Sequence, residues 1–523
     1  MTTNTQVDVL EAKGLIRLVA IRPELEYLFR HGLVQDAAYT SLLKQERRDL
    51  HGRVGAALEE LYPDRVGELA PVLAMHFEQA GDTERAIDYY AEGAKHALGQ
   101  NAIQEAYEAF DRATTLIHEE DLALGAAALP ASEIDRRRRR QIEIELGRAD
   151  AGGYFRSPEE TFAALENIVQ PAEELGDLEL IGRLHTLIAL GRLQNGESAT
   201  QPIIRRSLDR VAEVGEAIGD PSLRVIPTAL VGLSHVFGGD TRRGIAELEE
   251  ALPVLEGRRD TVGPAFARGA LAIGYAYVGE FEKAEAAAAR ATELAGKSDL
   301  IAQLDALIAE SMVRSAKGDL EGAVPIASKC VEQSAETGAT ACIIASSWIL
   351  GDVFYRQGRY AEARDILKRG TDISAVVDRK VWRPTLLAWL SSTQAALGSA
   401  EDGEWDEALA TARSIGNRMG EAGILAKRAE TAVTHGDIDA ARPDAEAAIA
   451  LMQEIGLRPM LARTRRAWGE SLRAAGKASE AEPHLRDALA GFEELGLTPE
   501  ADAVRAELSL GETKIAFGEP PGS

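Results

Sequence analysis

A chain of 523 residues exceeds one ordinary core, so several domains or one extended array are expected. Its 58 Lys and Arg stand against 84 Asp and Glu, a net charge of −26 that repels polyphosphate and excludes a general nucleic-acid binder. An apolar fraction of 45% with 5% aromatics fits many amphipathic helices, and two cysteines, Cys330 and Cys342, exclude a disulfide framework.

The N-terminus lacks the basic start and apolar run of a signal peptide, and no stretch reaches the roughly 18 apolar residues of a membrane span. A cytoplasmic chain without a membrane partner is expected. Val7 to Lys13 reads as a helix ending at Gly14. Leu15 to Ile21 and Leu25 to Phe29, joined by Arg22-Pro23-Glu24, read as a β-hairpin. Two strands alone are barely stable, so this hairpin needs a neighbour.

Phe29-Arg30-His31-Gly32-Leu33-Val34 follows, then Arg47-Arg48-Asp49-Leu50-His51. These elements resemble the segment that joins a winged-helix domain to a helical repeat array in bacterial STAND-type signalling NTPases, including those led by a nucleotide-cyclase domain. The resemblance covers roughly residues 7 to 118. It implies that residues 1–62 are a winged-helix remnant with linker helices, and that both motifs are structural, not catalytic. It also implies an NTPase or cyclase module, which is absent from these 523 residues and is expected to be lost or to reside on a separate partner chain.

Residues 63–132 read as a helical bundle, with helices over 70–79, 84–98 and 102–117 and a loop over 119–132 that contains Pro130. From residue 133 the glycines form a comb. Turn glycines at 153, 196, 239, 279, 318, 358, 403, 436 and 476 recur about every 40 residues, with Gly398 an equally good turn beside Gly403. Ala stands five residues after several of them, as in Gly279-Glu280-Phe281-Glu282-Lys283-Ala284. A second comb, Gly176, Gly219, Gly257, Gly296, Gly338, Gly416, Gly456 and Gly496, ends helices where a left-handed residue is needed. Two interleaved combs give nine helix pairs.

Seven residues before the turns stand small side chains, among them Gly232, Ala272, Ser311, Gly351 and Gly469, which let paired helices approach closely. This resembles the tetratricopeptide (TPR) pattern stretched to about 40 residues, over 133 to 495. HEAT repeats share the length but not the glycine and alanine placement, and rank second. The expected fold is all-α: a right-handed α-solenoid of TPR-like hairpins over residues 133–510, with Glu500 to Leu508 as capping helix and residues 511–523 disordered.

Several tempting motifs fit the scaffold better than chemistry. Ala291 to Ser298 mimics a phosphate loop, but Gly296 falls on the helix-ending comb. Arg136 to Arg140 reads as a helix start whose cations meet Glu143 and Glu145. His118-Glu119-Glu120-Asp121 lies in the expected loop, and Cys330 holds a packing position. No catalytic, cofactor or metal constellation is read from the sequence, so a non-enzyme is expected.

In such arrays the first helix of each pair lines the groove. Counting three, six, ten and thirteen residues back from the turns gives Phe266, Trp348, Asp352 and Tyr355, with Tyr277 and Arg356 beside them. The same count near the C-terminus gives Arg463, Arg466, Glu470 and Arg473, a basic patch on an acidic solenoid. The alternative for the aromatics is packing between repeats, and for the arginines simple solvation. Two functions remain open. One is a non-enzymatic regulatory scaffold binding a protein or peptide in its groove, from which the sequence does not distinguish end-to-end self-association. The other is the sensing arm of an NTPase or cyclase system.

Overall fold

The computed structural model describes residues 3–20, 26–124, 129–153, 156–257, 262–296, 299–398 and 404–516, and the chain divides into two compact units. The first holds residues 1–100 and 105–128; the second holds 101–104 and 129–523.

In the first unit α1 (Thr3–Ala12) leads into β1 (Ile16–Ala20), which pairs antiparallel with β2 (Glu26–Phe29) in the register Ile16 with Phe29 and Leu18 with Tyr27. The expected hairpin is therefore present, while its turn at residues 22–24 lies outside the described residues. Next come α2 (Gly32–Ser41), α3 (Lys44–Leu61), α4 (Val66–Ala80), α5 (Thr83–Gly99) and α6 (Ile103–Leu124). Helix α3 packs on α4 and α4 on α5, around Leu73, Phe77, Ile87 and Ala94. The loop expected over 119–132 is shorter, because α6 continues through Glu119 to Leu124 and carries His118 to Asp121 on a helix.

The second unit opens with α7 (Ala131–Gly152), whose partner is split into α8 (Pro158–Asn167) and α9 (Val169–Leu175). Pro171 has no N–H for the Asn167 carbonyl and so contributes to the split, although Pro227, Pro253, Pro325, Pro443 and Pro483 stand inside continuous helices. Seven regular pairs follow. They are α10 (Leu178–Gln194) with α11 (Pro202–Ile218), α12 (Pro221–Gly238) with α13 (Thr241–Leu255), and α14 (Val262–Val278) with α15 (Phe281–Ala295). Then come α16 (Leu300–Lys317) with α17 (Leu320–Thr337), α18 (Thr340–Arg356) with α19 (Tyr360–Val376), and α20 (Arg383–Ala396) with the shorter α21 (Trp405–Ser414). The seventh is α22 (Arg418–Thr434) with α23 (Ile438–Ile455). An eighth, α24 (Arg458–Ala474) with α25 (Ala478–Glu494), precedes α26 (Thr498–Ala516), which runs past the expected end of the capping helix and into residues assigned to a disordered tail. Residues 517–523 lie outside the described residues. With the split pair at its start this is an all-α solenoid of nine hairpins among the described residues.

The close approach within pairs is visible at the small residues. A Cβ on Gly351 would overlap Leu367 of the paired helix, and one on Gly469 would stand 2.8 Å from Leu485 Cγ. The alanines five residues past the turns, Ala284, Ala323 and Ala363, are fully buried. Most comb glycines adopt positive φ, while Gly153 is right-handed helical, Gly257 is not among them, and Gly403 is outside the described residues; Gly398 serves as that turn. Gly296 ends α15 as expected, and Lys297 and Ser298 are outside the described residues. No described helix is long and apolar enough to cross a membrane.

The solenoid winds tightly. First helices about five repeats apart meet across its axis: α12 touches α22, and α24 touches both α14 and α16. A single core cluster accordingly runs from Ala189 to Leu457.

Candidate functional site

The residues picked out by counting from the turn glycines do converge on this axis, and they bring others with them. Trp348 of α18 is 8% exposed and packs its ring 5.4 Å from Trp382 and 5.9 Å from Trp389, while Trp382 meets Phe237 of α12 at 6.4 Å. Trp389 of α20 donates its Nε1–H to Asp352 at 2.8 Å and presses its ring tip toward Gly423 of α22. Tyr355 donates to Glu430 at 3.0 Å and meets the Ser392 hydroxyl at 3.2 Å.

Lys427 of α22 completes the cluster. Its ammonium lies 3.9 Å above the Tyr355 ring and 5.2 Å from Trp389, and it pairs with Glu430 at 2.7 Å. Burial opposes its charge, but Glu430, Tyr355 and Asp352 more than offset this, so the ammonium is held above the usual lysine range. For Tyr355, burial pushes the phenol up to about 12. Arg356 donates to the Ser315 carbonyl at 2.9 Å and its hydroxyl at 3.0 Å, with Asp352 3.7 Å away. Phe266 is half-buried against the same core, and Tyr277 is buried. Two donors in this region, Trp348 Nε1 and the Tyr277 hydroxyl, find no hydrogen-bond partner among the described residues.

The C-terminal arginines differ from the sequence reading. Arg463 donates to the Ala316 carbonyl at 2.8 Å and to Glu500 at 2.9 Å. Arg466 reaches Glu470 and Glu507, each at 2.7 Å, and Arg473 donates to the Glu507 carbonyl at 2.7 Å. Glu500 and Glu507 lie on α26, so the capping helix neutralises what α24 alone presents as a basic patch. Burial, then repulsion from Arg356, lowers Arg463 to about 10. The Arg136–Arg140 run is likewise absorbed, with Arg136 and Arg137 on Glu133, Arg138 on Glu174 and Arg139 on Asp177, where the sequence suggested Glu143 and Glu145.

The same spacing from the turns marks further members of the cluster. Six residues back from Gly398 stands Ser392, and six back from Gly436 stands Glu430. Trp389 and Lys427 each stand nine back, on the flank of the same face. Trp382 precedes its helix and carries no such signal.

Off the axis, Cys330 and Cys342 are buried, and burial pushes the Cys330 thiol up to about 12, so both are packing residues. Beside them Asp305 of α16 has its carboxyl pushed up to about 7, by burial first and then by Asp299. An unfolded aspartate ionises near 3.9, so this group destabilises the fold progressively as pH rises from about 4 to 7, and no further above that. Asp305 keeps part of its surface in water, and Asp305→Asn is expected to stabilise by roughly 1–2 kcal/mol at pH 8 and by almost nothing at pH 4. Urea midpoints at the two pH values check this.

No family model matches the chain. An uncharacterised protein of Rhizobium meliloti (strain 1021) is 28% identical over 109 residues, which is 21% of this chain and 11% of that protein. The chain therefore spans about a tenth of the length of the curated relative it matches. Among solved structures, a Rap protein complexed with Competence and Sporulation Factor aligns at 14% identity and TM-score 0.49, over 68% of this chain and 98% of that one. A STAND protein with a tetratricopeptide repeat sensor from Pyrococcus horikoshii aligns at 15% identity and TM-score 0.40, over 72% and 56%. Aspartyl phosphate phosphatase F from Bacillus subtilis aligns at 12% and 0.42, over 72% and 97%. The assignment to a TPR-like solenoid rests on the chain's own helix pairs.

Proposed function

We propose that the array is a non-enzymatic regulatory scaffold whose inner face takes up a segment of a protein or peptide partner. The observation that carries this reading is the character of that face: aromatic rings and balanced charges gathered on α18, α20 and α22, with the buried donor of Trp348 left without an acceptor among the described residues. An unmade buried hydrogen bond costs about 1–3 kcal/mol, which a ligand carbonyl placed there would recover.

A random peptide display library tests this. Peptides enriched on the native chain are expected to lose at least tenfold in retention when Trp348→Phe and Asp352→Asn are combined. Retention unchanged by that pair, in protein with native circular dichroism, overturns the reading.

A second reading, the arm of an NTPase or cyclase system, is favoured by the surface of the first unit. Val9, Leu10, Val19, Leu28, Phe29, Leu33, Leu43 and Leu61 are exposed there, with Leu33 at 83%. Among the described residues before Ala70 the core contains Ile16 alone of the apolar side chains. So little burial leaves α1, the hairpin and α2 marginal unless another protein surface covers them. Under this reading an NTPase co-purifies with the chain and changes its hydrolysis rate on addition of the chain; a rate that does not move counts against it.

A further inference from the structure

The turn glycines are not equivalent. A Cβ built on Gly358, Gly398, Gly436 or Gly476 meets nothing within 4 Å. On Gly196 it would stand 3.0 Å from Ile415, on Gly239 3.1 Å from Arg418 Cβ and 3.5 Å from Ile455, and on Gly279 it would overlap Leu495. On Gly318 it would stand 2.8 Å from a Glu500 carboxylate oxygen. Gly279 and Leu495 are 216 residues apart, the length of about five repeats. The four contacted glycines are consecutive, and each abuts the connection between pairs one superhelical turn further on. Two further contacts continue the line at its ends: Arg379 donates to the Gly153 carbonyl with Lys380 3.4 Å from Glu159, and Arg463 reaches Ala316. Phe281 shares an apolar cluster with Leu495 and Leu497 along the same line.

This line is a seam between successive turns of the array. Besides the touches of α12 on α22 and of α24 on α14 and α16, it consists of one or two side chains per repeat, against the continuous helix packing within each pair. It also seals the axis, because the aromatic cluster lies inside the helices it holds together. We propose that the seam is the gate of the inner face, and that the ligand of that face enters only when the two turns part. This rests on the inner-face reading above and adds its regulation. A closed array binds with an apparent affinity reduced by the fraction of molecules whose seam is open. Anything that weakens the seam therefore raises both access and apparent affinity, until the lining itself is disturbed.

The gate can be tested without a ligand. Leu495→Ser removes the contact over Gly279, and Arg463→Met removes the hydrogen bonds to Ala316 and Glu500 while keeping the stem. Leu397→Ser, on an exposed residue away from the seam, is the control. With Trp405 and Trp468 replaced by Phe in every variant, acrylamide quenching of tryptophan fluorescence reports access to Trp348, Trp382 and Trp389. The seam variants are expected to raise the quenching constant at least twofold and the radius of gyration by scattering, with native circular dichroism and an unchanged control. A zero-length carbodiimide link between Lys380 and Glu159, identified by mass spectrometry, should form in native protein and fall severalfold in both variants. Quenching, radius and link yield all unmoved would overturn the gate. If they move as expected, a displayed peptide of the inner face should bind three- to thirtyfold tighter to the seam variants; equal or weaker binding overturns the coupling of seam to site. Absence of any such peptide would instead tell against the inner-face reading and leave the seam result standing on the quenching.

Discussion

Trp348→Ala is expected to destabilise the array by about 3–5 kcal/mol, the range for truncating a buried aromatic, and not to be the silent change that a groove-surface residue would give. Its ring is 8% exposed and contacts two other tryptophans, so alanine leaves a cavity under helices held from both sides of the axis. Trp348→Phe should be close to neutral. It loses part of the ring but also removes the buried Nε1–H that has no acceptor, and the two effects oppose at about 1–2 kcal/mol each. Urea midpoints with an unchanged m-value distinguish these outcomes, and the Phe variant is consequently the one suited to binding experiments.

Gly279→Ala should cost about 2–4 kcal/mol, and Gly476→Ala about 1 kcal/mol, although both residues hold nearly the same left-handed conformation, with φ of +82° and +78°. The shared part is the penalty of a Cβ at positive φ. The difference belongs to Leu495, which a Cβ at 279 would strike, whereas position 476 has open space. Denaturation of the two variants side by side measures the seam. Equal costs would mean that successive turns do not touch in solution.

The repeat was legible because its signals are local. A helix end that needs positive φ selects glycine, and a helix crossing that admits no side chain selects Gly, Ala or Ser, so both leave marks at fixed spacing. Gly351 against Leu367 and Ala363 in the core are such marks. Which positions share a helix face was legible too, since a 3.6-residue period fixes it, although Trp382 ahead of its helix lay outside that pattern. What the spacing did not carry was how far the array curls. Curl is the sum of small rotations at every pair, and it decides whether Trp348 faces water or Trp382. For the same reason the pairing of Arg463, Arg466 and Arg473 with Glu500 and Glu507 was hidden: it depends on where α26 docks, not on a pattern within α24.

Whether the inner helices form the binding face is read by hydrogen exchange on the native chain, with and without a display-selected peptide. Slowed exchange is expected in Thr340–Arg356, Arg383–Ala396 and Arg418–Thr434, with the outer helices α17, α19 and α23 unchanged. Protection confined to the outer helices or to residues 3–61 would contradict it.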